Sequence, residues 1–366
     1  MLKKTIRRLG ALAMVLAMAV SVFAVNASAV GEQEPTTTPT MTANITKKIT
    51  KEANVYLPNA TFTFTATVAN PGQSSDTNYT NPGADALQLS NEGVITSAPS
   101  EDATILAKAG DVEVGTVNIT VDTTKFSKDG KAMPGTYYYD ITETGSYDGM
   151  TYVGAARKYV VIIDSKGEVL SQGFVKWNEE KQEYEKDTGD FVNAYNTKNL
   201  TITKKVEGTA GDKNKEFSFT VTITNANTSA EEWYRVVKGD SSIVIKNGTY
   251  TFTLKNNESI TFTGLSENDS YTVTEADYVT NDKYNAPTAK LGGNNLDMNK
   301  NTVDSKVVYT ASVEKMGKTA NDVTVTNKKD FATPGGVIMT IAPYALMLVV
   351  AGAFAVVFLS RRNRAE

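Results

Sequence analysis

The chain has 366 residues, room for about two domains plus targeting segments, and a net charge of −4 with no basic stripe of the kind nucleic acid requires. It contains no cysteine and no histidine, which excludes disulfides, thiolate chemistry, Ser-His-Asp and Cys-His machinery and nearly all zinc sites. Covalent chemistry is left to Lys, Asn, Asp, Glu, Ser, Thr and Tyr, and neither a metal nor a cofactor is expected.

The chain opens with Lys3, Lys4, Arg7 and Arg8, an apolar run from about Leu9 to Val25, and the small-residue site Ala27-Ser28-Ala29. That order reads as a secretory signal peptide over 1–29. Residues 30–41, rich in Thr, Pro and Glu, read as a flexible leader. From there the pattern is short alternating strands separated by Gly, Asn, Asp and Pro turns. Ile45-Thr46-Lys47-Lys48-Ile49 is the first strand and Thr61-Phe62-Thr63-Phe64-Thr65 the next. Thr136–Thr142 and Tyr159–Ile163 are aromatic and β-branched, as strands prefer. Asp164-Ser165-Lys166-Gly167 is a hairpin turn, and Phe191-Val192-Asn193-Ala194-Tyr195 closes the unit.

The series then repeats: Ile202-Thr203-Lys204-Lys205-Val206, Phe217-Ser218-Phe219, Tyr271-Thr272-Val273-Thr274-Glu275 (matching Tyr139-Asp140-Ile141-Thr142-Glu143) and Val323-Thr324-Val325-Thr326-Asn327. Two tandem units follow, 42–196 and 198–329, each an all-β, immunoglobulin-like sandwich. An apolar run from Val337 to Leu359 is long enough to span a bilayer, and Arg361, Arg362 and Arg364 hold the last residues in the cytoplasm. The body of the chain is therefore expected outside the cell.

Alternate residues of a strand share a face. Lys47 and Lys204 then lie on apolar faces, as do Glu143, Glu275, Asn193 and Asn327. Each unit offers one Lys, one Glu and one Asn to its core. Burial lowers the pKa of an amine and raises that of a carboxyl. A neutral lysine can attack the asparagine carboxamide, with the protonated Glu hydrogen-bonding the amide oxygen and passing protons as ammonia leaves. The product is an intramolecular isopeptide bond. The alternative is a buried Lys–Glu ion pair with Asn as a neighbour, a poor stabiliser; repetition of the trio favours the bond.

Further stretches carry a likeness: Leu57-Pro58-Asn59 before the first Phe-x-Phe, Pro134-Gly135-Thr136-Tyr137-Tyr138-Tyr139 leading to Glu143, Trp177-Asn178-Glu179-Glu180, and Thr326-Asn327-Lys328-Lys329-Asp330-Phe331 followed by Met339-Thr340-Ile341-Ala342-Pro343-Tyr344. With the Ile-Thr-Lys strands they make the mature chain resemble the backbone (major) pilins of sortase-assembled pili of Gram-positive bacteria, of the two-domain streptococcal type with pilin isopeptide-linkage domains. The resemblance implies CnaB-type sandwiches, Lys47–Asn193 and Lys204–Asn327 bonds assisted by Glu143 and Glu275, and a covalent polymer of identical subunits. It also implies a class-C-type pilin sortase, tip or basal minor pilins, and anchoring to cell-wall peptidoglycan, the membrane being met only through the sorting helix of the precursor. The family's acceptor lysine precedes the first-domain asparagine by seven residues, which is Lys186 here, with Lys176 and Lys181 as neighbours that could serve. The sorting segment, 330–366, departs from the family's Pro-Thr-Gly: in Ala332-Thr333-Pro334-Gly335-Gly336, Gly335 takes the acyl-donor place.

Two other classes are weighed. A wall- or membrane-anchored adhesin would use the same sandwiches to bind a host ligand and would show an exposed apolar patch. A surface hydrolase needs a convergent carboxylate pair, and none is evident. Glu179-Glu180 are strand neighbours facing opposite sides, and inward Tyr137 and Tyr139 read as core rather than as a sugar platform.

Overall fold

The computed structural model describes residues 43–69, 80–227, 231–246, 248–331 and 347–351. The expected signal peptide, the leader and Thr333–Gly336 lie outside the described residues, as does most of the C-terminal apolar run, of which 347–351 are helical. Among the described residues no helix is long and apolar enough to cross a membrane.

The fold is all-β. In the first unit one sheet runs in the order Met150–Thr151, Asp190–Tyr195, Ile45–Lys51, Gly110–Val117. The other runs Glu183–Lys186, Val169–Asn178, Arg157–Ile163, Gly135–Thr144, Thr61–Val68, Val94–Thr96. Ile45, Ile49 and Phe191 from the first sheet and Phe62, Phe64, Tyr137, Tyr139 and Ile141 from the second share one buried cluster. The second unit repeats this with seven- and five-stranded sheets, joined by a core that includes Ile202, Val206, Phe217, Phe219, Val273 and Val325. The hairpin expected at Asp164–Gly167 connects Arg157–Ile163 to Val169–Asn178, with Gly167 at a φ of 87°, where a Cβ would be strained.

What matters most for chemistry is that the first and last strands of each unit are parallel neighbours. Ile45–Lys51 pairs with Asp190–Tyr195 in the register Lys47↔Phe191 and Ile49↔Asn193. Lys198–Glu207 pairs with Asn321–Lys328 in the register Lys204↔Val325 and Val206↔Asn327. In both, the asparagine sits two residues beyond the position opposite the lysine, on the same face. Gly189 permits this approach in the first unit. Its carbonyl accepts the Thr46 N–H at 2.8 Å, and a Cβ on it would fall 1.9 Å from Asn44 O.

The strands Asp190–Tyr195 and Lys198–Glu207 are linked by Asn196 and Thr197, and the two units meet in a polar knot that is buried at Tyr147 and Glu232. Tyr147 Oη donates to Glu232 Oε1 at 2.6 Å, the Asp148 N–H donates to Asn227 Oδ1 at 2.8 Å, and Asn268 N–H donates to Asp148 Oδ2 at 3.3 Å. Tyr234 Oη lies 3.0 Å from Glu232 Oε2 and 3.4 Å from Asp269 Oδ2. Sequence reading finds no convergent carboxylate pair on separate strands; the second unit's loops hold one, Glu232 and Asp269, both buried, and the first unit's Tyr147 packs onto it.

Candidate crosslinking sites in the two units

The strand alternation that buries Ile45 and Ile49 also buries Lys47, and the one that buries Ile202 and Val206 also buries Lys204; both lysines are 0% exposed. The first Phe of each Phe-x-Phe strand forms a wall under the amine. Lys47 Nζ is 4.4 Å from the Phe62 ring centre and Lys204 Nζ is 4.3 Å from that of Phe217. The second Phe lies opposite the glutamate on the adjacent strand, Phe64↔Glu143 and Phe219↔Glu275. The acid thus reaches the lysine–asparagine pair from the facing sheet.

In the first unit, Lys47 Nζ stands 2.8 Å from Glu143 Oε1 and donates to Phe191 O at 3.2 Å. Asn193 Nδ2 donates to the same Glu143 Oε1 at 2.8 Å. One carboxylate oxygen therefore touches both the attacking nitrogen and the departing one. Asn193 Oδ1 accepts the Val153 backbone N–H at 3.1 Å. This corrects the expected geometry, in which the acid binds the amide oxygen: Glu143 is on the nitrogen side. Burial pushes the Lys47 amine down, with Glu143 partly offsetting it.

In the second unit, Lys204 Nζ lies 3.1 Å from Glu275 Oε1, an ion-pair distance without hydrogen-bond alignment. It donates to Val325 O at 3.3 Å and to Asn327 Oδ1. Burial pushes Lys204 down to about 8 and Glu275 upward. The Asn327 amide nitrogen sits near the carboxylate with no aligned hydrogen bond. Both trios combine a desolvated amine, an acid and a carboxamide, which is what amide exchange needs.

A further buried lysine escaped sequence reading. Lys51 shares the inward face of Lys47, and alternation alone could have flagged it. It is 3% exposed, and its Nζ donates to the carbonyls of Leu106 (3.0 Å) and Lys108 (2.7 Å). No carboxamide or carboxylate is among these partners. Of the candidate acceptor lysines, Lys186 is half-buried on the edge strand Glu183–Lys186, opposite Val175. Lys176 is exposed, and Lys181 is exposed and paired with Glu185 at 2.6 Å. Among the described residues no cluster of acidic side chains fits a metal ion.

Residues 43–196 match a family described as the Spy0128-like isopeptide containing domain, and residues 198–329 match one described as a domain of unknown function. A pilin of Streptococcus pyogenes serotype M1 is 34% identical over 253 residues, covering 63% of this chain and 68% of that protein. The pilus tip adhesin Cpa of Streptococcus pyogenes is 38% identical over 99 residues, which is 26% of this chain and 14% of that one. Among solved structures, the major pilin T-13 of Streptococcus pyogenes superposes with a TM-score of 0.51 at 19% identity, covering 79% of this chain and 98% of the other, and so shares the fold. With an isopeptide-domain family matched in its first unit and a pilin aligned over about two thirds of that protein's length, this chain belongs to the pilin family represented by that Streptococcus pyogenes protein.

Proposed function

We propose that this pilin, a structural protein and not an enzyme, carries self-formed Lys47–Asn193 and Lys204–Asn327 bonds in two immunoglobulin-like (CnaB-type) sandwiches and is joined end to end by a sortase into the shaft of a surface pilus. One observation carries the reading: in both units a buried amine touches a buried acid beside an asparagine, at the same two-residue offset on parallel terminal strands.

The chemistry balances without a cofactor. Starting from ammonium and carboxylate, Glu143 takes a proton from Lys47 Nζ. The freed lone pair forms the Nζ–Cγ bond with Asn193, and the carbonyl electron pair moves to Oδ1. Glu143 passes its proton to Nδ2, the Cγ–Nδ2 bond breaks, and ammonia leaves as the carbonyl reforms. Glu143 then takes the second amine proton and ends protonated. Glu275 serves Lys204 and Asn327 in the same way. Burial favours the neutral amine at both lysines and the protonated acid at Glu275.

For the polymer, the reading assigns 1–29 as a cleaved signal, 330–366 as the sorting segment with Thr333–Gly336 presented to the enzyme, and Lys186 as the acceptor. The finished pilus is anchored to peptidoglycan, with minor pilins as further partners. Co-expression with a pilin sortase tests this. A ladder of multimers that survives denaturing electrophoresis is expected, and Lys186→Arg abolishes it. A ladder that persists in Lys186→Arg and disappears in Lys176→Arg or Lys181→Arg moves the acceptor; no ladder in any protein rejects the shaft reading.

A further inference from the structure

Attack on the Asn193 carboxamide places a full negative charge on Oδ1 of a buried side chain. An oxyanion there needs a donor already aimed at it. Glu143 does not reach that oxygen: its Oε1 is engaged with Lys47 Nζ and Asn193 Nδ2, and its Oε2 makes no hydrogen bond. The group on the oxygen is the Val153 backbone N–H, at 3.1 Å. Its availability follows from the sheet. The short strand Met150–Thr151 pairs with Asp190–Tyr195 only through Met150↔Tyr195 and Thr151↔Ala194. The ladder ends there, and the next N–H able to reach the asparagine strand turns to a side chain instead. The Val153 side chain is 45% exposed, so the residue contributes a backbone dipole and little core packing.

The second unit is built differently. Asn327 turns Oδ1 to Lys204 and its Nδ2 has no hydrogen-bond partner; the neighbouring ladder ends at Thr288↔Thr326, and the residue before it, Pro287, has no N–H to offer.

We propose that the Val153 backbone N–H is the oxyanion donor for bond formation in the first unit, with Glu143 confined to proton transfer. The inference rests on the isopeptide reading of that site. As the Nζ–Cγ bond forms, the carbonyl pair moves onto Oδ1 against the Val153 N–H; as Cγ–Nδ2 breaks and ammonia leaves, the pair returns. The donor neither gains nor loses a proton.

The test uses the full ectodomain in a Glu275→Ala background, in which only the first unit reacts, and follows the loss of one ammonia by intact mass at intervals after a short pulse of synthesis. Val153→Pro and an amide-to-ester replacement at Val153 both delete the N–H; the ester keeps the side chain and the chain path. Both are expected to slow bond formation about a hundredfold, the usual effect of losing one such donor. Val153→Ala, which keeps the N–H, reacts at the parent rate. An ester variant that reacts at the parent rate overturns the inference, even if Val153→Pro is slow. A parent that never loses ammonia is a different failure: it removes the isopeptide reading, and this inference with it.

Discussion

An ammonium in a protein core costs several kcal/mol unless it is paired or neutralised, and Lys47, Lys51 and Lys204 are all buried here. They meet that cost in different ways. Lys51 points into backbone carbonyls, and its burial, with the Lys108 charge, pushes it down to about 8. Lys51→Met is therefore expected to leave the ammonia loss unchanged and to destabilise the first unit by about 1–3 kcal/mol through orphaned carbonyls, as chemical denaturation will show. Lys204 gives a pH signature when its bond cannot form. In Asn327→Ala the folded amine titrates near 8 and the unfolded one near 10.5. Between those values the unfolded chain binds more protons, so stability rises with pH, by up to about 3 kcal/mol. Denaturation across pH 8 to 10 should show the rise, and adding Lys204→Met should flatten it. The inward phase of Lys47, Lys204, the two glutamates and the two asparagines was legible from alternation alone. The repeat with Lys204 singled out Lys47, whereas the burial of Lys51, which shares its face, went unread because the second unit has Gly208 at the matching position. The amide's orientation was equally hidden, since the Val153 N–H lies in an irregular segment that no periodicity marks.

Among the elements, the parallel pairing of first and last strands does the positioning. A shift of one residue would turn Asn193 away from Lys47 altogether. Gly189 guards that register, and Gly189→Ala should push the asparagine strand outward. The expected result is a first-unit bond that is slow or missing while the second forms normally, read by peptide mapping. The junction between units shows a different use of burial. Burial pushes Glu232 up to about 7, with the Asp269 charge adding to it, and pushes Asp269 up to about 6. Tyr147, Tyr195, Tyr234, Asp148 and Asn227 surround the pair. Carboxyls whose pKa rises in the folded state stabilise it most when protonated, below their unfolded values of 3.8 to 4.5. That contribution is lost as pH rises through 6 to 7. Exchange of the Asp148 amide hydrogen, corrected for its intrinsic rate, should accelerate over that range, and Glu232→Gln should reduce the dependence to the part that Asp269 carries. Nothing local in the sequence announces this knot: its members come from both units and meet only once the two are packed.

Across the whole molecule, the two bonds would define a path for tension. Force entering at Ile45 crosses from Lys47 to Asn193, passes through Asn196 and Thr197, and crosses again from Lys204 to Asn327. Segments 48–192 and 205–326, which contain nearly all of both cores, lie off that path. Each bond would also close a long loop in the unfolded chain, worth about 5 kcal/mol by the loop-entropy estimate used for disulfides; a chain without cysteine would gain in this way what disulfides give exported proteins. Single-molecule pulling should leave the parent unextended, whereas Asn193→Ala should release the 48–192 segment at forces where hydrogen-bonded sheets shear apart. The most direct test of the central claim is the intact mass of the purified ectodomain. The account predicts a mass short by two ammonia molecules, one regained in Glu143→Ala, one in Glu275→Ala and both in the double variant. A parent mass equal to that of the unmodified sequence would contradict it and leave two buried ion pairs in place of two bonds.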